Sequence, residues 1–402
     1  MINTSKKLPT GSVIGIIGGG QLGRMLSQAA KILGYKTVIL DPVPLCPAGQ
    51  VSDHQIVGNY NSLSAANSLS NMCDVVTYEF ENVDLNCLLK ISENIDVFPS
   101  PEILKISSNR ILEKEKLRKI GAPTVEFFPI NSIDDFNQAQ KIIGFPMIIK
   151  TASSGYDGKG QKLLKSEHDI DDYLINSIKI KKAFIAEDFL DFNCEISVIC
   201  ARNIEGEIIT FFPSENIHEN HILDISIVPP RVSKKIISSA RNLAKNIAES
   251  LDLVGLLAVE MFLTKNNELL INELAPRPHN SGHYTMNGCE TSQFTQLIKI
   301  LTKQPLGNSN LSCASVMINL LGDLWINNSS KPNLEKLNKS KNIFVHLYGK
   351  DEPRIGRKMG HILKSMSNKG CLYLIPNIIS QNTETNHLTN EIKSKLCDML
   401  SN

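Results

Sequence analysis

Residues 254–274 read Val-Gly-Leu-Leu-Ala-Val-Glu-Met-Phe-Leu-Thr-Lys-Asn-Asn-Glu-Leu-Leu-Ile-Asn-Glu-Leu. Two largely apolar runs, 254–263 and 268–274, flank Thr264-Lys265-Asn266-Asn267, and the pattern predicts an antiparallel hairpin. Strand alternation puts Glu260 on a face with Ala258 and Phe262, and Glu273 on a face with Leu269 and Ile271. Each arm thus carries one acid among apolar neighbours. An ionised carboxylate buried without a partner is prohibitively costly. Two facing acids repel, and one takes up a proton unless a cation sits between them. Hard oxygen ligands on two strands, with other coordination positions free, suit Mg²⁺ or Mn²⁺ shared with nucleotide phosphates. Spacing alone supports equally well an arginine or lysine at a strand end for each acid. Asn272 and the run Ala275-Pro276-Arg277-Pro278-His279-Asn280-Ser281-Gly282-His283 favour the metal, because they crowd polar and cationic groups beside the acids.

Near the other end of the chain, Val13-Ile14-Gly15-Ile16-Ile17 has the texture of a buried parallel strand. Gly18-Gly19-Gly20-Gln21-Leu22-Gly23 follows, then Met25, Leu26, Ala29, Ala30 and Leu33 at helical spacing, then the strand Thr37-Val38-Ile39-Leu40 ending at Asp41. This is a βαβ unit. Val75–Tyr78 and Val97-Phe98 read as later strands of the same sheet, so an α/β domain covers roughly residues 10–105. The glycines fit G-x-G-x-x-G, and a helix N-terminus favours an anion there. That physics specifies a phosphate, not a dinucleotide. A dinucleotide, a monophosphate and a merely tight turn all remain open on these residues.

Between these two stretches, residues 108–120 predict one helix, and Pro146–Lys150 a strand ending in a cation. Thr151-Ala152-Ser153-Ser154-Gly155-Tyr156-Asp157-Gly158-Lys159-Gly160 is a second glycine loop without the Walker order, able to offer backbone N–H groups to phosphate. Glu187 and Glu195 lie on strands near 184–189 and 195–201, and residues 234–251 form an amphipathic helix. After Pro305-Leu306-Gly307-Asn308-Ser309-Asn310 the chain begins again with strands at 315–321 and 343–348. The expected organisation is 1–107, 108–308 (with a lid subdomain about 124–188) and 309–402.

Composition bounds the function. With 42% hydrophobic and 21% charged residues the chain is globular rather than disordered. A net charge of +1 gives it no global reason to seek nucleic acid or an anionic membrane. No apolar run approaches the ~20 residues of a membrane span. Nine scattered cysteines without a CxxC pair suggest neither a disulfide framework nor zinc, and point to a reducing cytoplasm.

Six stretches carry a resemblance: residues 18–24, Thr77-Tyr78-Glu79-Phe80-Glu81-Asn82, residues 154–161, Glu215-Asn216-Ile217-His218, residues 271–283 and Gly356-Arg357-Lys358-Met359-Gly360-His361. Together they resemble the ATP-grasp superfamily and, within it, the 5-(carboxyamino)imidazole ribonucleotide synthase family of bacterial purine synthesis. The likeness runs from about residue 12 to about residue 365. It implies an ATP-grasp fold of the α/β class, with an N-terminal doubly wound pre-ATP-grasp domain and a small β-rich C-terminal domain. It also implies a homodimer. The implied reaction uses ATP to convert bicarbonate to carboxyphosphate, and then carboxylates the exocyclic amine of 5-aminoimidazole ribonucleotide. Carried over by motif, ATP contacts fall on Arg110, Lys150, Ser154, Gly155, Gly158, Gln161, Glu187, Phe189, Leu190, Glu195, His218 and Asn272, with Lys150 on phosphate and Glu195 on ribose. Glu260 and Glu273 match metal ligands. The ribonucleotide site falls on Gly20, Gln21, Leu22, Glu79, Lys350 and Arg357, the last two on its 5′-phosphate. Tyr156, Asp157, Lys159, His279 and Asn280 match the catalytic set, with Asp157 positioning the amine. On this resemblance the first glycine loop meets a monophosphate ligand. Competing readings are a related ligase using formate or an amino acid, an NAD-dependent oxidoreductase and a non-catalytic nucleotide sensor.

Overall fold

A computed structural model describes residues 7–153, 160–326, 334 and 342–365. Its first sheet holds β1 (Val13–Ile17), β2 (Lys36–Asp41), β3 (His54–Val57), β4 (Val75–Tyr78) and β5 (Asp96–Val97). They are parallel in the order β3-β2-β1-β4-β5. The crossover helices Gln21–Ile32, Leu63–Met72 and Leu85–Ser92 explain why β1 and β4 read as unbroken apolar runs, since both strands are buried. Leu22, Met25 and Leu26 pack into one core with Leu297, Ile298 and Leu301 of the helix Gln293–Leu301. The expected βαβ unit and its later strands are all present.

The second sheet is antiparallel, with β6 (Phe127–Ile130), β7 (Met147–Thr151), β8 (Gln161–Leu164) and β9 (Phe184–Asp188) in the order β6-β9-β7-β8. Phe136 and Leu174, from the helices Ile133–Ile142 and Asp172–Lys179, close its core against Ile149 and Ala186. The helix expected over 108–120 is present as Arg110–Lys119, preceded by a separate helix Pro101–Ser107. Asn109 separates them, its side chain accepting from the Ile111 and Leu112 N–H groups as an N-cap.

The third sheet is the largest. Its strands are β10 (Phe192–Arg202), β11 (Ile208–Thr210), β12 (Ser214–Glu219), β13 (Ile222–Val228), β14 (Gly255–Thr264), β15 (Leu269–Ala275), β16 (Ser315–Leu321), β17 (Ile343–Leu347) and β18 (Lys358–Ser365). Among the described residues the order is β15-β14-β10-β12-β13-β16-β18-β17, with β11 beside β10. β16 pairs with β13, so the C-terminal strands continue the central sheet instead of opening one of their own. One face of β10 and β14 packs Val198, Leu257 and Val259 against Ile236, Ala240 and Ile247 of the helix Lys234–Ser250. The other face begins apolar, with Ile199, Ala201, Leu256 and Ala258, and turns polar at Ser197, Glu195 and Glu260. That change of character sets where the site lies.

Three imidazoles stack where the C-terminal strands meet this sheet. His283 and His361 lie 4.3 Å apart at 15°, and His361 and His346 4.6 Å apart at 17°. The Tyr348 hydroxyl bonds His361 Nδ1 at 2.8 Å and His283 Nε2 at 3.3 Å. Burial drives the pKa values of His283 and His361 well below the ordinary histidine range. A group with a depressed folded pKa binds protons more readily when unfolded. Its contribution is therefore complete above the unfolded value of about 6.5, and is lost as pH falls from there toward the folded value. Each such histidine adds a slope of up to about 1.4 kcal/mol per pH unit. His361→Asn should accordingly show a flatter fall in Tm between about pH 6.5 and 5 than the wild-type chain; parallel curves from thermal melts would show that the stack does not set acid stability.

Candidate active site

The hairpin β14–β15 brings its acids together by a device that strict alternation hides. Leu263 faces Leu269, Phe262 faces Leu270 and Met261 faces Ile271, but Glu260 faces Glu273, so Asn272 is an extra residue. This β-bulge reverses the alternation of β15. The expectation that Glu273 shares a face with Leu269 and Ile271 is therefore corrected. Those two side chains and Leu274 enter the core under the helix Lys234–Ser250, whereas Glu273 stands directly across the ladder from Glu260. On its other side Glu260 faces Ser197 of β10.

The two acids have different partners. Glu260 Oε1 takes a 2.7 Å contact from His279 Nε2. His279 Nδ1 accepts the Ser281 N–H at 3.4 Å, so the proton of a neutral ring sits on Nε2 and points at Glu260. Ser281 Oγ bonds Ser197 Oγ at 2.6 Å, and Ser197 Oγ accepts from Asn216 Nδ2 at 2.9 Å, which ties the histidine to β10 and β12. Gln293 clamps the His279 backbone from both sides, accepting its N–H and donating to its carbonyl. Burial by itself raises the Glu260 pKa, but His279, His218 and Arg277 outweigh it and hold the carboxyl at about 2. Glu273 shifts the other way, raised by burial and by the Glu260 charge.

A second charged row lies behind. Glu187 of β9, 2% exposed, touches Lys150 of β7 at 2.6 Å and the fully buried Lys114 at 3.7 Å. Burial opposes its charge, yet the two lysines prevail and bring its pKa to about 2. Lys114 is itself lowered by burial. Glu113 beside it is raised to about 8, chiefly by burial. Arg110 donates through Nη1 to the Thr151 carbonyl at 2.9 Å, at the mouth of the second glycine loop. Glu195 pairs with His218 Nδ1 at 3.0 Å, and that contact raises the histidine's pKa against the opposing effect of burial. Phe189 is exposed and Leu190 half-buried just past β9, and Gln161 bonds His221 Nδ1 at 3.1 Å. Ser154, Gly155, Tyr156, Asp157, Gly158 and Lys159 lie outside the described residues.

The first glycine loop supplies its own anions. Asp41 Oδ2 accepts the Gly19 N–H at 2.7 Å, and Glu79 accepts the Gly20 N–H with one oxygen and the Gly23 N–H with the other, the latter at 2.6 Å. A Cβ on Gly19 would stand 2.2 Å from Cys46 Sγ, and one on Gly20 would stand 2.5 Å from Glu79 Oε1. Gly20 is thus required by the approach of a protein carboxylate, and Gly19 by the Cys46 thiol with the Asp41 carboxylate beside it at 2.7 Å. The Gly19, Gly20 and Gly23 amides are thus taken by protein carboxylates, and Asp41 is also held by the Tyr60 hydroxyl at 2.5 Å, which leaves the dinucleotide reading without its ribose acceptor. Leu22 sits in the core. The Gln21 side chain does face outward: Lys350 donates to its oxygen at 2.9 Å, and its nitrogen reaches Asn280 Oδ1 at 3.4 Å. Lys350 lies over the Tyr348 ring at 5.4 Å. Arg357 is half-buried and donates to the Glu352 carbonyl at 2.6 Å.

Spacing had not singled out Glu113 or Lys114, and it named Arg277 only within the cationic run after the hairpin. Arg277 Nε meets Glu81 Oε1 at 2.7 Å and so joins the loop after β15 to the first domain.

A glycine-bearing antiparallel sheet facing a larger sheet with paired acids defines an ATP-grasp ligase. An ATP-grasp domain model matches residues 115–294, a ribonucleotide synthetase preATP-grasp domain 12–108, and a phosphoribosylaminoimidazole carboxylase C-terminal domain 315–370. The chain is 44% identical over 352 residues to the N5-carboxyaminoimidazole ribonucleotide synthase of Bacillus subtilis (strain 168), covering 88% of this chain and 91% of that one. A Staphylococcus aureus N5-carboxyaminoimidazole synthetase solved with ADP superposes at a TM-score of 0.84 with 37% identity, over 93% of this chain and 98% of that one. An Aspergillus clavatus N5-carboxyaminoimidazole synthase, solved with ADP and 5-aminoimidazole ribonucleotide, gives 0.81 with 29% identity, over 92% and 98%. The chain belongs to the N5-carboxyaminoimidazole ribonucleotide synthase family, ATP-dependent ligases that carboxylate 5-aminoimidazole ribonucleotide in purine biosynthesis.

Glu79→Gln tests the closed glycine loop. Its NH₂ group would meet an N–H donor, leaving one buried amide unsatisfied at a cost of about 1–3 kcal/mol. The expected outcome is a lower urea midpoint with an unchanged m-value; an unchanged midpoint would show that the amides find other acceptors.

Proposed function

We propose that this chain performs the family reaction with Glu260 and Glu273 holding Mg²⁺, or Mn²⁺, against the ATP phosphates. The observation that carries this reading is the direct opposition of the two carboxylates across the ladder, with Glu273 raised by burial and by its partner's charge. Two opposed hard oxygens whose repulsion a cation would relieve fit such an ion. Among the described residues no group of three or more His, Cys, Asp or Glu side chains forms a complete metal cage. On this reading the remaining ligands come from phosphate and water, as for Mg²⁺ shared with a nucleotide. Bound there, the ion supplies charge neutralisation at the transferring phosphoryl group.

The chain's own groups have these parts. Lys150, steadied by Glu187, contacts phosphate, with Arg110 at the loop mouth. Glu195 takes the ribose and His218 faces the triphosphate. His279 keeps Glu260 ionised and aimed. A bicarbonate oxygen accepts the γ-phosphoryl group, giving carboxyphosphate and ADP. The exocyclic amine of the ribonucleotide then bonds to the carboxyl carbon, either of carboxyphosphate or of CO2 released from it. Phosphate leaves and the amine loses a proton. Gln21 and Asn280 face the aminoimidazole, Lys350 and Arg357 its 5′-phosphate, and Asp157 with Tyr156 and Lys159 positions the amine. We further propose the division 1–107, 108–308 and 309–402, a homodimer and a cytoplasmic location. No helix among the described residues is long and apolar enough to cross a membrane.

Glu273→Gln should cut turnover by about a hundredfold or more with the fold intact; near-normal turnover in a variant with wild-type circular dichroism would remove the metal assignment. Lys350→Ala should raise the KM for the ribonucleotide about tenfold or more and leave kcat nearly unchanged, since a remote phosphate gives mostly uniform binding. Steady-state kinetics at saturating ATP read this directly, and an unchanged KM would place the phosphate elsewhere.

A further inference from the structure

The bulge at Asn272 decides whether Glu273 meets Glu260, and among the described residues β15 ends the strand order of the sheet, with a one-residue bridge from Thr124 to Ile271 on its outer side. In a regular strand the backbone groups that point away from the neighbour recur every second residue. On β15 the outward bonds fall at Ile271 and Leu274, three apart, with Asn272 and Glu273 between them. The Ile271 N–H donates to the Pro123 carbonyl at 2.8 Å, and the Ile271 carbonyl accepts from Lys114 Nζ at 2.9 Å. The Leu274 N–H donates to Glu113 Oε2 at 3.0 Å. Adjacent residues of the helix Arg110–Lys119, both almost wholly buried, therefore grip the bulge on its two sides.

We propose that Glu113 and Lys114 are positioning residues that hold the Asn272 bulge and thereby aim Glu273 across the ladder at Glu260. This rests on the reading that the two acids bind the metal. Lys114 also touches Glu187, which holds Lys150, so one helix turn sets the register of the metal carboxylate and steadies the phosphate lysine. Neither residue faces the reacting atoms. Their effect passes through the β15 backbone.

The test uses the full chain with ADP and measures Mn²⁺ binding by electron paramagnetic resonance. Hydrogen exchange at the Leu274 amide and the KM for the ribonucleotide at excess Mg²⁺ are read alongside. Glu113→Leu and Lys114→Met should each weaken Mn²⁺ binding by about tenfold or more. The Leu274 amide should exchange faster in Glu113→Leu, and the ribonucleotide KM should stay unchanged in both variants. Glu113→Gln should bind Mn²⁺ close to wild type, because its amide oxygen accepts the same N–H. Wild-type Mn²⁺ affinity in Glu113→Leu, or equal losses in the Leu and Gln variants, would overturn the proposal. Should Glu113→Leu fail to fold, Lys114→Met is read by the same criteria. Glu273→Gln separates the two ideas: if it also leaves Mn²⁺ binding intact, the metal reading fails, whereas loss there with no loss in Glu113→Leu sinks only the positioning role.

Discussion

Two carboxylates set face to face inside a protein are a standing electrostatic problem. Like charges directly opposite across a ladder destabilise a sheet, and burial magnifies the effect. The fold answers this problem unevenly. Glu260 receives an imidazole N–H that is itself held by Ser281, Ser197 and Asn216, and it stays ionised. Glu273 has Arg110 and Lys150 only as more distant charges, and its proton affinity rises. A pair built for stability alone would be neutralised symmetrically or replaced by apolar side chains, which often costs nothing. The asymmetry leaves one fixed and one responsive carboxylate, which suits the metal role proposed for the pair.

The same economy of charge runs through the first domain. A helix N-terminus attracts an anion, and here the anions are Asp41 and Glu79 of the protein. Those acids rigidify the turn after β1 and leave the Gln21 side chain projecting between Asn280 and Lys350. The ribonucleotide site proposed here is thus made of side chains from three parts of the chain, standing on a loop closed by its own carboxylates. Arg277 with Glu81, and Lys303 with Asp96 at 2.9 Å, fasten the same interface.

Much of this was legible in the sequence, and the exceptions share a cause. The parallel sheet, the hairpin and the helix over 234–251 announce themselves by period, because burial there follows local geometry. The bulge does not, because one extra residue changes no composition and shifts the alternation only locally. Read strictly, Glu273 belongs with Leu269 and Ile271; only the pairing with β14 turns it over. Glu113 and Lys114 were missed for a related reason. Arg110-Ile111-Leu112-Glu113-Lys114-Glu115-Lys116 has the texture of a solvated helix face. A lysine with no exposed surface cannot be told from its exposed neighbours without knowing that β15 and Glu187 lie against it. The glycine fingerprint was legible as a place where anions meet a helix N-terminus, but that the Asp41 and Glu79 carboxylates bond three of its amides could not be read from spacing.

Edge strands are weakly constrained in register, and a one-residue slip carries every side chain to the opposite face. A carboxylate proposed to bind a metal from an edge strand is therefore exposed to such a slip. The apolar side chains of β15 oppose a slip, since Leu269, Ile271 and Leu274 would leave the core together. That constraint, however, is satisfied with or without precision at the acid itself. Bonds to the Ile271 carbonyl and the Leu274 N–H act on the two residues that bracket Asn272 and Glu273, where the alternation changes. Burying a lysine and a glutamate to make those bonds is costly, and a hydrophobic pair would pack the same space more cheaply. The positioning role proposed for Glu113 and Lys114 gives these buried groups a reason to be there beyond the contact of Lys114 with Glu187.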